Sequence, residues 1–519
     1  MTRLRSRILF TVGASLICAI ASPVSAKDQA DYSALSDSKI LERYQKAAAA
    51  ESPDYCKALL PLLGEMAKRE AFQQNSSKAK TLTEYQCALT EQRYKDAYVL
   101  TGELERITGI ALPDETALAL AVIAEEYPAA ASRVIKMARS PDGSALGKLD
   151  MTLFWQLSRE LVRKKNSEIR LRMFRALADS PHLDRLDAAV RSGIASEAIT
   201  LDAESGNFSR AAILMNELQG PGAFLELLAN RKLEPIWSAL EEIAGPNLQK
   251  ISEANVAQKA AAYNSNQSNR QAFQYYANAL HFAGKFEEAI ALARTVDHRP
   301  KAMLKATEED MWALNIEAYA LDALGRHIEA EAVFDAMGAL PFEGERKSWL
   351  VNFVINRASR LVGLGQWQKG LDASVLAHEV TEQSGSPYAK MLVRKARICG
   401  LVNLDRKDEA APLLAEAYEK REDSYSTAAE AYLCAGDDDK AAAIVLEALK
   451  SPDHRYDMAK ELQPNDFEIF YAREILPDLR DRLRTRPEID MEFNSFARDL
   501  PDRLIPVASL RRKQISATQ

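Results

Sequence analysis

Most patterns that carry chemistry are missing from this 519-residue chain. No His-Glu-x-x-His is present, which excludes the helix-borne zinc pair of a metalloprotease. The six histidines are His182, His281, His298, His327, His378 and His454. None pairs with another at i+4 or with a cysteine cluster. No Cys-x-x-Cys occurs, so structural zinc and thioredoxin-type exchange have no ligand set. No Gly-x-Ser-x-Gly elbow occurs either. The segment "GSALGKL" at 143–149 has one residue too few between its glycines for a phosphate loop. Leu149 also stands where Ser or Thr would hold magnesium. Val-Ile-Thr alternation long enough for strands is scarce. An excess of basic charge is missing too: the formal net charge is −7, which argues against a nucleic-acid partner. No metal and no cofactor are expected.

What is present begins at the N-terminus. Arg3, Arg5 and Arg7 precede the apolar run "ILFTVGASLICAIA", and "SPVSA" follows, with Val24 and Ala26 at −3 and −1 to a cut before Lys27. This is the three-part order of a cleavable secretory signal over 1–26. The run is 14 residues long, short for a span of about 20, so an uncleaved anchor is the lesser alternative. Ile17 before Cys18 argues against lipidation. Loss of the three arginines takes the formal charge from −7 to −10. No second long apolar run follows, so no stable membrane insertion is expected after cleavage, and a Gram-negative periplasm is the expected compartment. Four cysteines then remain: Cys56, Cys87, Cys399 and Cys434. An even count in an oxidising compartment permits bridges. Cys56–Cys87 and Cys399–Cys434 are the natural pairs, with buried free thiols as the alternative.

The mature chain reads as helix after helix, rich in Ala, Leu, Glu, Lys and Arg with apolar spacings of three and four. A chain of 493 residues is too long for one compact core. Stacked helical pairs escape that limit, because each pair needs only its neighbours. The expected fold is therefore all-α, a solenoid of antiparallel helical hairpins. Five segments share one turn frame: "AGKFEEAIALA" (283–293), "LGRHIEAEAVF" (324–334), "LGQWQKGLDAS" (364–374), "LDRKDEAAPLL" (404–414) and "AGDDDKAAAIV" (435–445). Their glycine column is Gly284, Gly325, Gly365, Asp405 and Gly436. Five residues on lie Ala289, Ala330, Gly370, Ala410 and Ala441. Seven before lie Ala277, Ala318, Ala358 and Ala429, with Ile398 as the exception. Glycine permits the positive φ that folds one helix onto the next, and small residues let the two approach closely.

This frame resembles the tetratricopeptide repeat. The likeness is good over 270–297 and 311–338, fair over 351–378 and degenerate over 391–418 and 422–449. Its period is near 40 where that family has 34. Looser matches lie upstream, at "ESGNFSRAAILM" (204–215) and "TEQRYKDAYVL" (90–100). The family's aromatic plug corresponds here to Phe286, His327 and Trp367, then to Lys407 and Asp438, so the last two hairpins have lost it. The expected layout is a signal peptide (1–26), an irregular helical half (27–244), a polar linker or loop (245–269), regular repeats (270–450), and a capping helix with a tail (451–519). Within the last part 463–485 is the candidate cap, and the final dozen residues are expected to be disordered or peptide-like.

The resemblance implies a partner groove lined by the first helix of each pair. Mapped here it includes Gln274, Asn278, His281, Trp312, Asn315, Tyr319, Asp322 and Lys395. It also implies a non-enzymatic scaffold or adaptor for other proteins of the bacterial envelope, in surface-structure assembly, motility, secretion or cell-wall synthesis. One alternative is a glycan-associated module using Trp312, Tyr319 and Trp367. A lesser one is a lytic-transglycosylase-like enzyme, for which "ESGNFSRAAILMNE" (204–217) offers Glu-Ser without the Gly-Leu-Met-Gln core. Asp437, Asp438 and Asp439 do not form a calcium loop, which needs acids at alternating positions. They are expected to open a second helix, where a cap acceptor and the helix dipole favour negative charge. The turn also marks where a cap or a partner should meet the stack.

Overall fold

A computed structural model of the chain describes residues 32–49, 54–344, 346, 349–464, 467, 475–506 and 509. The expected signal segment and nearly all of the final dozen residues lie outside them. The described residues form 27 α-helices and no β-strand. The protein is all-α, and successive helices pack against their neighbours as stacked hairpins.

Two units divide the chain at Ile194/Ala195. The first contains α1 (Asp37–Ala48), α2 (Tyr55–Met66), α3 (Gln73–Thr90), α4 (Tyr94–Thr108), α5 (Asp114–Ile123), α6 (Tyr127–Ala138), α7 (Met151–Arg163) and α8 (Ser167–Ala178). The division falls inside α9 (Ala188–Glu204). The second unit continues with α10 (Phe208–Leu214), α11 (Pro221–Ala229), α12 (Trp237–Ala244), α13 (Gln249–Ser265), α14 (Arg270–Phe282), α15 (Phe286–Ala293) and α16 (Pro300–Met303). The regular stack runs on through α17 (Glu308–Ala323), α18 (His327–Gly338), α19 (Leu350–Gly363), α20 (Trp367–Ser384), α21 (Pro387–Asn403), α22 (Lys407–Glu419), α23 (Tyr425–Cys434) and α24 (Asp438–Lys450). It ends with α25 (Arg455–Glu461), α26 (Leu479–Leu483) and α27 (Pro487–Phe496).

One turn builds both units. Gly284, Gly325, Gly365, Asp405 and Gly436 all lie in the left-handed region, at φ of 74°, 75°, 73°, 60° and 78°. Gln92, Glu125, Lys165 and Gly206 do the same, at 59°, 64°, 57° and 73°. At each of the nine, the next residue's N–H reaches back to close a helix C-cap. Examples are Arg93 to Ala88, Glu126 to Ala121, Asn166 to Leu161 and Lys285 to Leu280, at 2.8–2.9 Å. This is the Schellman arrangement. The hairpin turn is therefore present by residue 92, in the looser upstream matches at 90–100 and 204–215 as well as in the regular repeats. The sequence frame missed Glu125 and Lys165 because the backbone there adopts a glycine-like conformation without glycine.

Close approach explains the small column. Ala97, Ala130, Ala211, Ala289, Ala330 and Ala441 are fully buried. A Cβ on Gly370 would lie 2.5 Å from Val362 Cγ2 and 3.0 Å from the Val362 nitrogen. Phe273, Phe334 and Phe353 fill the larger spaces between hairpins. Truncating such a phenylalanine typically costs about 3–5 kcal/mol.

Both cysteine pairs are bridged. Cys56–Cys87 joins α2 to α3, and Cys399–Cys434 joins α21 to α23. The 245–269 stretch differs from the expected linker: 249–265 is helix α13, packed between α12 and α14. Its buried face is narrow, with Ile251, Ser252 and Val256, so the polar majority masked the helix. The true connection is only 266–269, where Asn269 caps α14 by accepting from the Ala272 N–H at 3.1 Å.

The second unit also turns back on itself. α25 to α27 cover the last hairpin through Met458, Leu483, Ile489 and Phe493. From the expected capping span, residues 465–466 and 468–474 lie outside the described ones, and 479–483 form α26. Asp437 caps α24 by accepting from the Lys440 N–H. Asp438 and Asp439 take Arg482 and Arg486, at 2.5 and 2.9 Å. Residues 497–505 then return to α11 and α12. Ala497 bridges to Asn230, and the Arg498 N–H donates to the Ala229 carbonyl at 2.9 Å. The Arg498 guanidinium lies 3.4 Å from the Trp237 ring centre and 3.0 Å from Glu241.

Candidate functional site

The first helices of successive hairpins, α14, α17, α19, α21 and α23, lie side by side, so a polar position on one meets the next. Arg270 on α14 holds Asp310 on α17, with Nε at 2.6 Å. Asn356 on α19 donates to Asn315 at 3.1 Å. Arg360 grips Asp322 with two bonds of 2.6 and 2.7 Å, and His327 Nδ1 lies 2.9 Å from the same carboxylate. Lys395 on α21 reaches Glu430 on α23 at 2.9 Å. These pairs fix α14 to α17, α17 to α19, and α21 to α23. Losing one partner of a buried pair such as Arg360–Asp322 costs ~3–5 kcal/mol, because the other charge stays buried alone.

The eight groove candidates separate along these helices. Gln274 and Asn278 are half-buried on α14. His281, Asn315, Tyr319 and Asp322 are buried, so they present no face to a partner. Desolvation pushes the His281 imidazole down to about 3, against a weaker upward pull from the Tyr319 backbone. Its ring lies 5.3 Å from Phe286 and 6.4 Å from Tyr319, centre to centre. Trp312 packs edge-on to Phe353 at 5.0 Å. Of the eight, Lys395 is the one that leads to an accessible wall. The other glycan candidate, Trp367, is half-buried beside Val362, Ala396 and Cys399. α17 shows why the mapping misleads here: 12 of its 16 residues are buried, whereas the mapped positions presume an open inner face. Glu204, Ser205 and Gly206 close α9 in the same left-handed turn as the other hairpins.

Around Lys395 lies a wall that the sequence did not single out. α21 supplies Tyr388 and Lys395, α23 supplies Glu430, and α25 supplies Lys460 and Glu461. α11 adds Glu226, 4.0 Å from Lys460. Glu461 is open to solvent, yet its carboxyl is pushed up to about 7, first by desolvation and then by Glu430. Protein crowds the space around this carboxyl, although water still reaches it. That crowding sets the cost of ionisation and raises the carboxyl. Glu226 is raised by the same cause, with Glu197 and Asp457 adding repulsion. The Tyr388 ring is 53% exposed, and its hydroxyl is raised by desolvation, with Glu461 and Glu430 acting the same way. One signal could have found the wall: Glu430 follows Ala429 of the small column, which places it on the same helix face as Asn278. The arrangement suits a cationic or donor-rich group that favours the ionised form of the Glu461 and Glu226 carboxyls, which their surroundings raise.

No protein-family model matches the chain, and a search of curated proteins finds no similar sequence.

Proposed function

We propose that this protein is a non-enzymatic scaffold or adaptor of the bacterial envelope. It is a TPR-like stack, exported by its N-terminal signal to the periplasm, that binds segments of other proteins. One observation carries the reading: successive hairpins and α11 contribute Tyr388, Lys395, Glu430, Glu461 and Glu226 to one wall, where surrounding protein raises the Glu461 and Glu226 carboxyls in spite of Lys460 beside them. Such a wall recognises a peptide with lysine or arginine beside an aromatic or aliphatic residue, which can lie against Tyr388. The two disulfides suit an oxidising compartment. No helix of the described residues is long and apolar enough to cross a membrane.

The test is site-specific photocrosslinking from position 388 in intact cells, repeated with Glu461→Lys and Glu226→Lys. Discrete protein adducts that disappear in the lysine variants are expected. Adducts that persist unchanged in both variants would remove the wall from partner binding. Retention of the protein on purified peptidoglycan, lost with the same variants, would replace the protein partner by a glycan.

A further inference from the structure

The second unit holds a cavity away from that wall. Its volume is about 620 Å³. Met303, Leu314 and Val333 give it an apolar side, and Arg294, His298 and Glu317 give it a charged one. Glu317 is fully buried on α17. Its Oε1 accepts from Arg294 Nε at 2.8 Å. Its Oε2 has no hydrogen-bond partner, and neither has His298 Nε2, although the two atoms lie 3.3 Å apart. A buried carboxylate oxygen without a donor is costly. One ammonium group, which has three donors, can reach both atoms at that separation.

The distribution of arginines singles out Glu317. The lining groups and their direct ion partners comprise three carboxylates, Asp297, Glu317 and Glu329, and three guanidiniums, Arg294, Arg299 and Arg326. Arg299 is committed to Asp297 and Arg326 to Glu329, and each holds its carboxyl down to about 2. Arg294 is divided between Glu317 and Glu329. Glu317 is thus the carboxylate with the least compensation and the deepest burial.

We propose that this cavity binds a primary ammonium on an apolar stem. The ammonium donates to Glu317 Oε2 and His298 Nε2, and the stem lies along Met303, Leu314 and Val333. A free alkyl amine and a lysine side chain of another protein share this chemistry. The site is separate from the wall at Lys395 and does not depend on it.

The experiment is titration of the full mature chain with 1,5-diaminopentane, with the peptide Ala-Lys-Ala, and with glutarate as an anionic control. The readouts are calorimetry and the NMR shift of His298 Cε1. Saturable binding with a His298 shift is expected for at least one cation. Glu317→Gln should weaken it tenfold or more. Ala332→Phe should do the same, because Ala332 lines the cavity from an exposed position and its replacement narrows the space without removing a buried group. Binding of the diamine alone assigns the site to small amines, and binding of the peptide alone assigns it to a protein lysine. Preferential binding of glutarate, no saturation by either cation at millimolar concentration, or equal binding by both variants would overturn the proposal.

Discussion

At the residue scale, two titratable groups set opposite pH windows. His281 is buried and its pKa is pushed down to about 3, against an unfolded value near 6.5. Between those values the unfolded chain binds the extra proton, so stability contributed by the neutral imidazole is complete above pH 6.5 and is lost as pH falls toward 3. Glu461 behaves in the reverse sense. Its pKa is raised to about 7, so the folded state holds the proton longer. That contribution is complete below about pH 4.5 and is lost as pH rises through 7. His281→Phe should flatten the acid limb of a Tm-against-pH curve, and Glu461→Gln should raise Tm at pH 8 while leaving it unchanged at pH 4. A Glu461→Gln curve parallel to wild type across that range would show that the carboxyl is solvated normally. The same residue links stability to recognition. A partner that brings a cation to Glu461 makes the carboxyl ionise, so binding near neutrality should release a proton and tighten as pH rises.

At the scale of the element, the hairpin turn is the repeated decision. A non-glycine residue in the left-handed region costs roughly 1 kcal/mol or somewhat more relative to glycine. Lys165→Gly and Glu125→Gly should therefore stabilise the protein by about 1 kcal/mol each, and Gly325→Ala should destabilise it by a similar amount. Urea unfolding of the three variants checks this, and a destabilised Lys165→Gly would show that the lysine side chain holds the turn in another way. The same turns show what could be read from the chain. Four of the five turns between 284 and 436 carry glycine, so their spacing was visible. Glu125 and Lys165 carry the same conformation with side chains that give no sign of it. The groove was less legible for a related reason. A helix position that is polar, such as Asn315 or Asp322, reads alike whether it awaits a ligand or meets Asn356 or Arg360 on the next hairpin. The answer lies about 40 residues away, in the register of the stack. Helix α13 was hidden because three buried residues among 17 leave almost no periodic signal. The cavity at Glu317 was invisible because a glutamate on a helix that also carries Glu308, Glu309, Asp310 and Asp322 reads as part of a solvated face.

At the scale of the whole second unit, the return of residues 497–505 to α11 and α12 changes how the stack should unfold. An open stack of hairpins is held by nearest-neighbour contacts, so its ends fray independently. Here Arg498 donates to the Leu228 carbonyl at 2.7 Å, pairs with Glu241 at 3.0 Å and lies against Trp237. Asn247 donates to the Ile505 carbonyl at 2.6 Å. These contacts join residues more than 250 positions apart in sequence, so α11 and α12 cannot open without releasing the C-terminal segment. Cys399–Cys434 strengthens the coupling from within by tying α21 to α23. Arg498→Ala removes three charge-assisted or cation–π contacts at once and should cost about 2–3 kcal/mol. The shape of the transition should change as well. With the ends released, 221–248 should exchange amide hydrogens faster while α17 to α19 stay protected, and the urea transition should broaden to a lower slope. Equal loss of protection across every helix, with an unchanged slope, would show that Arg498 contributes stability without joining the two ends. The distinction bears on binding, because Glu226 on α11 and Lys460 on α25 belong to one wall only while that junction is closed. A variant that opens it should lose partner crosslinks at position 388 even though Tyr388, Lys395 and Glu430 keep their places on α21 and α23.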